Sequence, residues 1–121
     1  MNDIEITKNN DIYICSLKNT SIDFENVFKL QDSLTEIFNT TGTNKPAIIF
    51  NLEKLKSIDS SGIAFLMLIK NKIEEYSGNL ILVKLNDIIK KTLSYTDLDK
   101  YFNVFETENK AIDYLKIRAK E

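Results

Sequence analysis

The residues best equipped for chemistry are Asp59-Ser60-Ser61-Gly62, which link a short apolar run to an apolar helical pattern. Asp59 suits the N-cap of that helix, its carboxylate accepting a first-turn N–H. Ser60 and Ser61 then occupy the first two helical positions, beside amides that no intrahelical carbonyl reaches. A phosphoryl group on Ser60 would meet the positive end of the helix dipole. It would add about −1.5 to −2 charge at neutral pH. Gly62 costs a helix up to about 1 kcal/mol relative to Ala. Clearance offsets that cost, letting another backbone or a phosphate come close. On pattern alone a plain capping turn also accounts for Asp-Ser-Ser-Gly, and both readings stand at this point.

Other chemistries are short of parts. The 121 residues contain no His and one Cys, Cys15. That excludes from this chain alone a Ser-His-Asp triad, a Cys-His pair, a zinc site built on His or several Cys, and an internal disulfide. With three glycines, Gly42, Gly62 and Gly78, no phosphate-cradling glycine loop exists. No paired carboxylates can be assigned acid/base roles, so no catalytic residue and no cofactor are expected. Sixteen Lys and Arg against eighteen Asp and Glu give −2, unlike the basic footprint of a direct nucleic-acid binder. The opening lacks a signal pattern, and the longest apolar run, 63–69, is far shorter than the roughly 20 residues of a membrane span. These features imply a cytoplasmic, non-enzymatic protein without a membrane partner, a single domain over 1–121.

The elements that must position Ser60 follow from periodicity. Residues 3–8 and 11–17 read as strands joined at Asn9-Asn10, the second with Ile12 and Ile14 on one face and Tyr13, Cys15 and Leu17 on the other. Apolar residues at 24, 27, 28, 30, 34, 37 and 38 predict a helix from Phe24 to Phe38, capped by Asp23 and stopped at Thr40-Thr41-Gly42. Residues 47–52 and 80–85 read as buried parallel strands. A helix over 60–76 ends at Gly78-Asn79. Asn86 or Asp87 caps a third helix reaching about Leu93. Residues 103–105 form an edge strand, and a last helix over about 108–119 turns Ala111, Ile112 and Leu115 inward. Alternating strands and helices after a hairpin give an α/β fold: a mixed, mainly parallel sheet with about four helices. Cys15 reads as a small buried hydrophobe. Phe65–Ile69 read as core plus a partly exposed strip, with a partner groove as the sharper alternative. Lys84, Lys90 and Lys91 read as solvated surface, and Tyr95, Tyr101 and Phe102 as anchors of the C-terminal helices.

The stretch Asn51-Leu-Glu-Lys-Leu with Ile58-Asp-Ser-Ser-Gly-Ile63 resembles the signature of STAS domains, specifically bacterial anti-sigma factor antagonists. The resemblance extends along most of the chain. Residues 4–17 look like the family's opening hairpin, Asn79-Leu-Ile-Leu-Val83 like its strand after the signature helix, and Leu98-Asp-Lys-Tyr-Phe102 like the segment before the final helix. The resemblance implies a phosphorylation-switched binding module. Its partner would be an anti-sigma factor with serine kinase activity, docked when Ser60 is unmodified and released when Ser60 is phosphorylated, so regulating sigma-dependent transcription. A serine phosphatase would reset Ser60. By the same resemblance Asp23, Asp59, Ser61 and Gly62 join Ser60 at the partner-binding corner. The alternative is an unphosphorylated STAS accessory subunit of a transport complex. Two departures fall in loops: Asn19 stands in a glycine's place after the second strand, with one extra residue beside it, and Asp97 stands where a glycine is common near the end of the third helix. Asn tolerates a left-handed backbone, which would preserve the first turn.

Overall fold

The computed structural model describes residues 4–41 and 45–119, the side chains of 36–41 excepted. Strands β1 (Ile4–Asn9) and β2 (Ile12–Leu17) form an antiparallel hairpin. Its two-residue loop is Asn10-Asp11, one position later than expected, because Asn10 is the residue with positive φ (56°). A two-residue strand β3 (Ser21–Ile22) precedes α1 (Val27–Thr41), and β4 (Ala47–Asn51) follows. Another two-residue strand, β5 (Ser57–Ile58), leads into α2 (Ser60–Glu75). Then come β6 (Asn79–Val83), α3 (Asp87–Tyr95), β7 (Asn103–Phe105) and α4 (Glu108–Ala119).

The main sheet runs in the order β1-β2-β4-β6-β7, parallel throughout after the hairpin. Because the order advances in one direction, right-handed crossovers place α1, α2 and α3 on a single face. That face packs Cys15, Leu17, Ile48, Phe50, Leu80 and Leu82 against Leu30 and Leu34 of α1, Phe65, Leu66, Ile69 and Ile73 of α2, and Ile89 and Leu93 of α3. Helix α4 covers the other face with the expected Ala111, Ile112 and Leu115, over Ile12, Ile14, Ile49, Ile81 and Val83. The period-2 split of β2 is therefore used on both sides.

Several boundaries differ for local reasons. Regular α1 begins at Val27, after a turn over 24–26, and its inward stripe is Val27, Leu30 and Leu34, leaving Phe24 and Phe28 exposed. It continues to Thr41; the expected stop at Gly42 lies outside the described residues. Strand β6 ends at Val83 because Lys84 turns to φ 60°. At the end of α2 the left-handed residue is Ser77 (φ 59°), with the Gly78 N–H donating back to the Ile73 carbonyl. Gly78 is needed instead for clearance, since a Cβ there would run into Pro46. Asn86 rather than Asp87 caps α3, its Oδ1 accepting the Ile89 N–H at 2.8 Å. Asp97 does adopt the left-handed conformation of the glycine it replaces (φ 58°), whereas Asn19 is not among the positive-φ residues. Tyr101 and Phe102 anchor the C-terminal region, Phe102 buried and Tyr101 stacked beneath Lys70 with its hydroxyl donating to Asn71. Tyr95 does not: it is 86% exposed.

Two consequences can be measured. A Cβ at position 62 would lie 2.5 Å from the Ile22 carbonyl oxygen and 3.0 Å from the Ile22 Cβ, with Ile58 closer still. Because one obstacle is backbone, Gly62→Ala should cost about 2–3 kcal/mol in urea unfolding, against the gain of up to about 1 kcal/mol that removing a helical glycine would normally bring. Cys15 is fully buried, and burial pushes its thiol up from 9.0 to about 12. The native state therefore keeps its proton where the unfolded chain loses it. The stability this contributes is complete below pH 9 and falls by up to about 1.4 kcal/mol per pH unit between 9 and 12. The stability difference between wild type and Cys15→Ala should shrink across that interval, and native Cys15 should resist thiol reagents until urea unfolds the chain.

Candidate functional site

The corner around Ser60 sits beyond the carboxyl ends of β4 and β6, where open α/β sheets carry their sites. Two short segments from distant parts of the chain make it. Strands β3 and β5 pair in parallel, Ser21 with Ser57 and Ile22 with Ile58. The Thr20 carbonyl accepts the N–H groups of Lys56 (2.7 Å) and Ser57 (3.2 Å), and the Ile22 carbonyl accepts that of Asp59 (3.3 Å). This register sets Asp23 and Asp59 side by side at the ends of the pair. The loop ahead of β5 is pinned from beneath: Leu52 and Leu55 are fully buried, the Leu52 N–H donates to Val83, and the Asn86 side-chain amide donates to the Leu55 carbonyl at 2.9 Å. Asn51 ends β4 as the buried polar residue of the core, donating to Glu108 at 2.6 Å and accepting from the Glu53 N–H at 2.9 Å.

Asp59 has the extended backbone of an N-cap, and its Oδ1 accepts the Gly62 N–H at 3.0 Å while its carbonyl accepts that of Ile63. The preceding helical amides, Ser60 and Ser61, are the ones left beyond intrahelical reach. Ser60 is exposed and Ser61 half-buried. Gly62 is buried against Ile22 and Ile58, so its clearance serves another backbone within the chain. Asp23 caps the turn that leads into α1. Its Oδ1 accepts the N–H groups of Glu25 (3.0 Å) and Asn26 (3.3 Å), its own N–H donates to Asn26 Oδ1 at 3.0 Å, and its Oδ2 accepts the Ser21 hydroxyl at 3.0 Å. This reciprocal Asp23–Asn26 arrangement is a capping box with Asn in the usual Glu position. Both carboxylates of the corner thus serve as backbone caps, Asp59 through Oδ1 and Asp23 through Oδ1 with its Oδ2 on the Ser21 hydroxyl.

Sequence reasoning named Asp23, Asp59, Ser60, Ser61 and Gly62, and the structure gathers them at one corner. It missed β3 and β5, since two residues carry no period. It also missed Asn26 and the second role of Asn86; the Asp-x-x-Asn spacing was the available signal for Asn26. Asn19, in the loop before β3, holds a buried Oδ1 without a hydrogen-bond partner. Of the apolar stretch in α2, Phe65, Leu66 and Ile69 are core and Met67 is partly buried, which leaves Ala64 and Leu68 as the exposed strip continuing from Ser60. No group of three or more His, Cys, Asp or Glu among the described residues is arranged to hold a metal ion. No described helix is long and apolar enough to cross a membrane.

Comparison with known proteins places this geometry. A candidate anti-sigma factor antagonist of Thermotoga maritima is 26% identical over 106 residues, 88% of this chain and 92% of that protein. A crystal structure of the candidate anti-sigma factor antagonist from Thermotoga maritima superimposes with a TM-score of 0.81 at 24% identity, covering 93% of this chain and 94% of the other. The anti-sigma factor antagonist SpoIIAA in its unphosphorylated form gives a TM-score of 0.67 at 22% identity over 93% of this chain and 97% of its own. The murine anion transporter Slc26a9 gives 0.75 at 15% identity, this chain matching 18% of it. The family profile of the STAS domain matches residues 3–111, and the chain belongs to the STAS domain family.

Proposed function

We propose that this chain is an anti-sigma factor antagonist whose affinity for its partner is set by phosphorylation of Ser60. Unmodified, the corner at Asp23 and Asp59–Gly62, with the exposed side of α2, docks an anti-sigma factor that is also a serine kinase, and the sigma factor is freed. The kinase brings its own ATP and magnesium and transfers a phosphoryl group to Ser60. A serine phosphatase reverses the step. The chain is the substrate in both reactions and catalyses neither.

The observation that carries this reading is the exposed Ser60 hydroxyl at the first position of α2, beside the capping Asp59 and on a pinned platform. A phosphoryl group there gains from the helix dipole and the two open amides, so the isolated domain accommodates it without rearrangement. A partner covering the same hydroxyl meets new bulk and an uncompensated charge. Burying such a charge costs about 3–5 kcal/mol, or at least roughly 100-fold in affinity at 1.4 kcal/mol per tenfold. The relatives add support, since SpoIIAA has been solved in both an unphosphorylated and a phosphorylated form.

A second reading, as the STAS component of a transport complex, draws on the likeness to Slc26a9. One experiment separates the two. Wild type and Ser60→Asp are used to capture proteins from native cytosol, and the captured kinase is then purified and incubated with the chain and radiolabelled ATP. Wild type should retain an ATP-binding anti-sigma factor that Ser60→Asp loses by about 100-fold. Label should enter wild type and Ser61→Ala but not Ser60→Ala. Equal capture of one transporter component by both forms, with no labelling, would defeat the switch and favour the transport reading.

A further inference from the structure

Phe24 and Phe28 are the large apolar residues that the fold turns outward beside the corner. Helical spacing counted them in a helix from Phe24 to Phe38, but the Asp23–Asn26 capping box holds 24–26 as a turn and the inward stripe is Val27, Leu30 and Leu34. Phe24 is 69% and Phe28 63% exposed. Their rings meet edge to face, with centroids 6.2 Å apart and planes at 81°. Among the described residues this is the ring–ring contact made by two exposed side chains; the Tyr101–Phe102 and Phe105–Tyr114 pairs are at least partly buried. The two rings pack on each other, and the Asp23–Asn26 cap fixes the turn that carries Phe24.

What covers it follows from its position. Phe24 directly follows Asp23, and Asp23 lies beside Asp59 through the Ile22–Ile58 pairing. The rings therefore follow directly in the chain on the Asp23 side of the Ser60 corner. A stable protein interface takes about 800 Å² from each partner, far more than Ser60 and its neighbours offer. A protein seated over Ser60 must extend onto this pair or onto Ala64 and Leu68 of α2, and the aromatic pair is the stronger contact, since aromatic side chains are enriched in interface cores and hot spots concentrate where such side chains become fully buried in a pocket.

We propose that Phe24 and Phe28 are the aromatic anchor that seats the unphosphorylated chain in an apolar pocket of its anti-sigma serine kinase. The proposal rests on the docking reading of the Ser60 corner given above. It divides the site into two parts: the rings supply affinity, and the Ser60 hydroxyl beside them supplies control.

The test uses the purified anti-sigma serine kinases of the source organism, one at a time, in titration calorimetry against the full chain. Four forms are compared: wild type, Phe24→Ala/Phe28→Ala, Phe24→Leu/Phe28→Leu and Ser60→Asp. The double alanine variant should bind at least about 50-fold more weakly than wild type, the double leucine variant should recover part of that loss, and both should melt at the wild-type temperature because the rings are exposed. With saturating kinase the alanine variant should still be labelled on Ser60. Binding of the alanine variant within about twofold of wild type would overturn the anchor while leaving the Ser60 switch intact. Loss of binding by the alanine variant, with Ser60→Asp binding as wild type, would keep the anchor and sink the switch. If wild type binds none of the kinases, the docking reading fails and the anchor with it. Sedimentation of wild type as a dimer that the alanine variant dissolves would assign the pair to a second copy of this chain instead.

Discussion

One close approach of two backbones organises this molecule: the first turn of α2 lies against the carbonyl of Ile22 where Gly62 leaves no Cβ in the way. Everything at the functional corner depends on it. With the backbones this near, the Asp59 N–H reaches the Ile22 carbonyl, β3 and β5 can pair, and the turn carrying Asp23 is drawn beside the turn carrying Ser60. A side chain at position 62 would push the helix off this seat and separate the two halves of the corner. The glycine's cost to the helix, about 1 kcal/mol relative to Ala, is therefore recovered in a non-local contact that no isolated helix would show.

A corner built this way is rigid, and rigidity decides what a modification can do. The loop before Ser60 is held by two fully buried leucines, by the Val83 carbonyl and by the Asn86 side chain, while Asp59 and Asp23 are committed to capping N–H groups and to each other's neighbours. No described element stands ready to move when charge is added to Ser60. On the proposed switch the readout is then at the surface: the domain with and without a phosphoryl group would present the same shape and a different charge. The same commitments bear on the proposed role of the chain as a kinase substrate. On that proposal the kinase supplies the base as well as the phosphoryl donor, since Asp59 and Asp23 are already used to accept backbone N–H groups.

The sequence made most of the main sheet and the four helices legible: β2 alternates with a period of 2, the helices repeat near 3.6, and β4 and β6 are short continuous apolar runs. Ile12, Ile14, Ala111, Ile112 and Leu115 needed no tertiary information to be assigned inward. The misreadings are where one residue decides, or where two distant segments must meet. Gly78 looked like the helix stop, yet the left-handed step falls on Ser77 and the glycine clears Pro46. Phe24 and Phe28 fell within the helical spacing and Tyr95 read as an anchor, yet all three are exposed, because burial is settled by which face an element finally presents. Strands β3 and β5 are two residues each, too short for any pattern, although they align Asp23 with Asp59. Asp59-Ser60-Ser61-Gly62 was recognisable as a helix start from its residues; why Gly62 must be glycine became visible only with Ile22 in place.

Control by a single phosphoryl group also limits how tightly such a corner can bind. A complex with a Kd near 1 μM is worth about −8 kcal/mol, and an uncompensated buried charge removes about 3–5 kcal/mol of that, which moves the Kd toward the millimolar range and empties the complex at cellular concentrations. A picomolar complex, at about −16 kcal/mol, would lose the same amount and stay bound. Affinity drawn from two exposed rings and a short apolar strip, rather than from a broad apolar face, keeps the interaction within reach of one modification at Ser60. The small extent of exposed apolar surface around this corner, Phe24, Phe28, Ala64 and Leu68, is on this argument a condition of the switch.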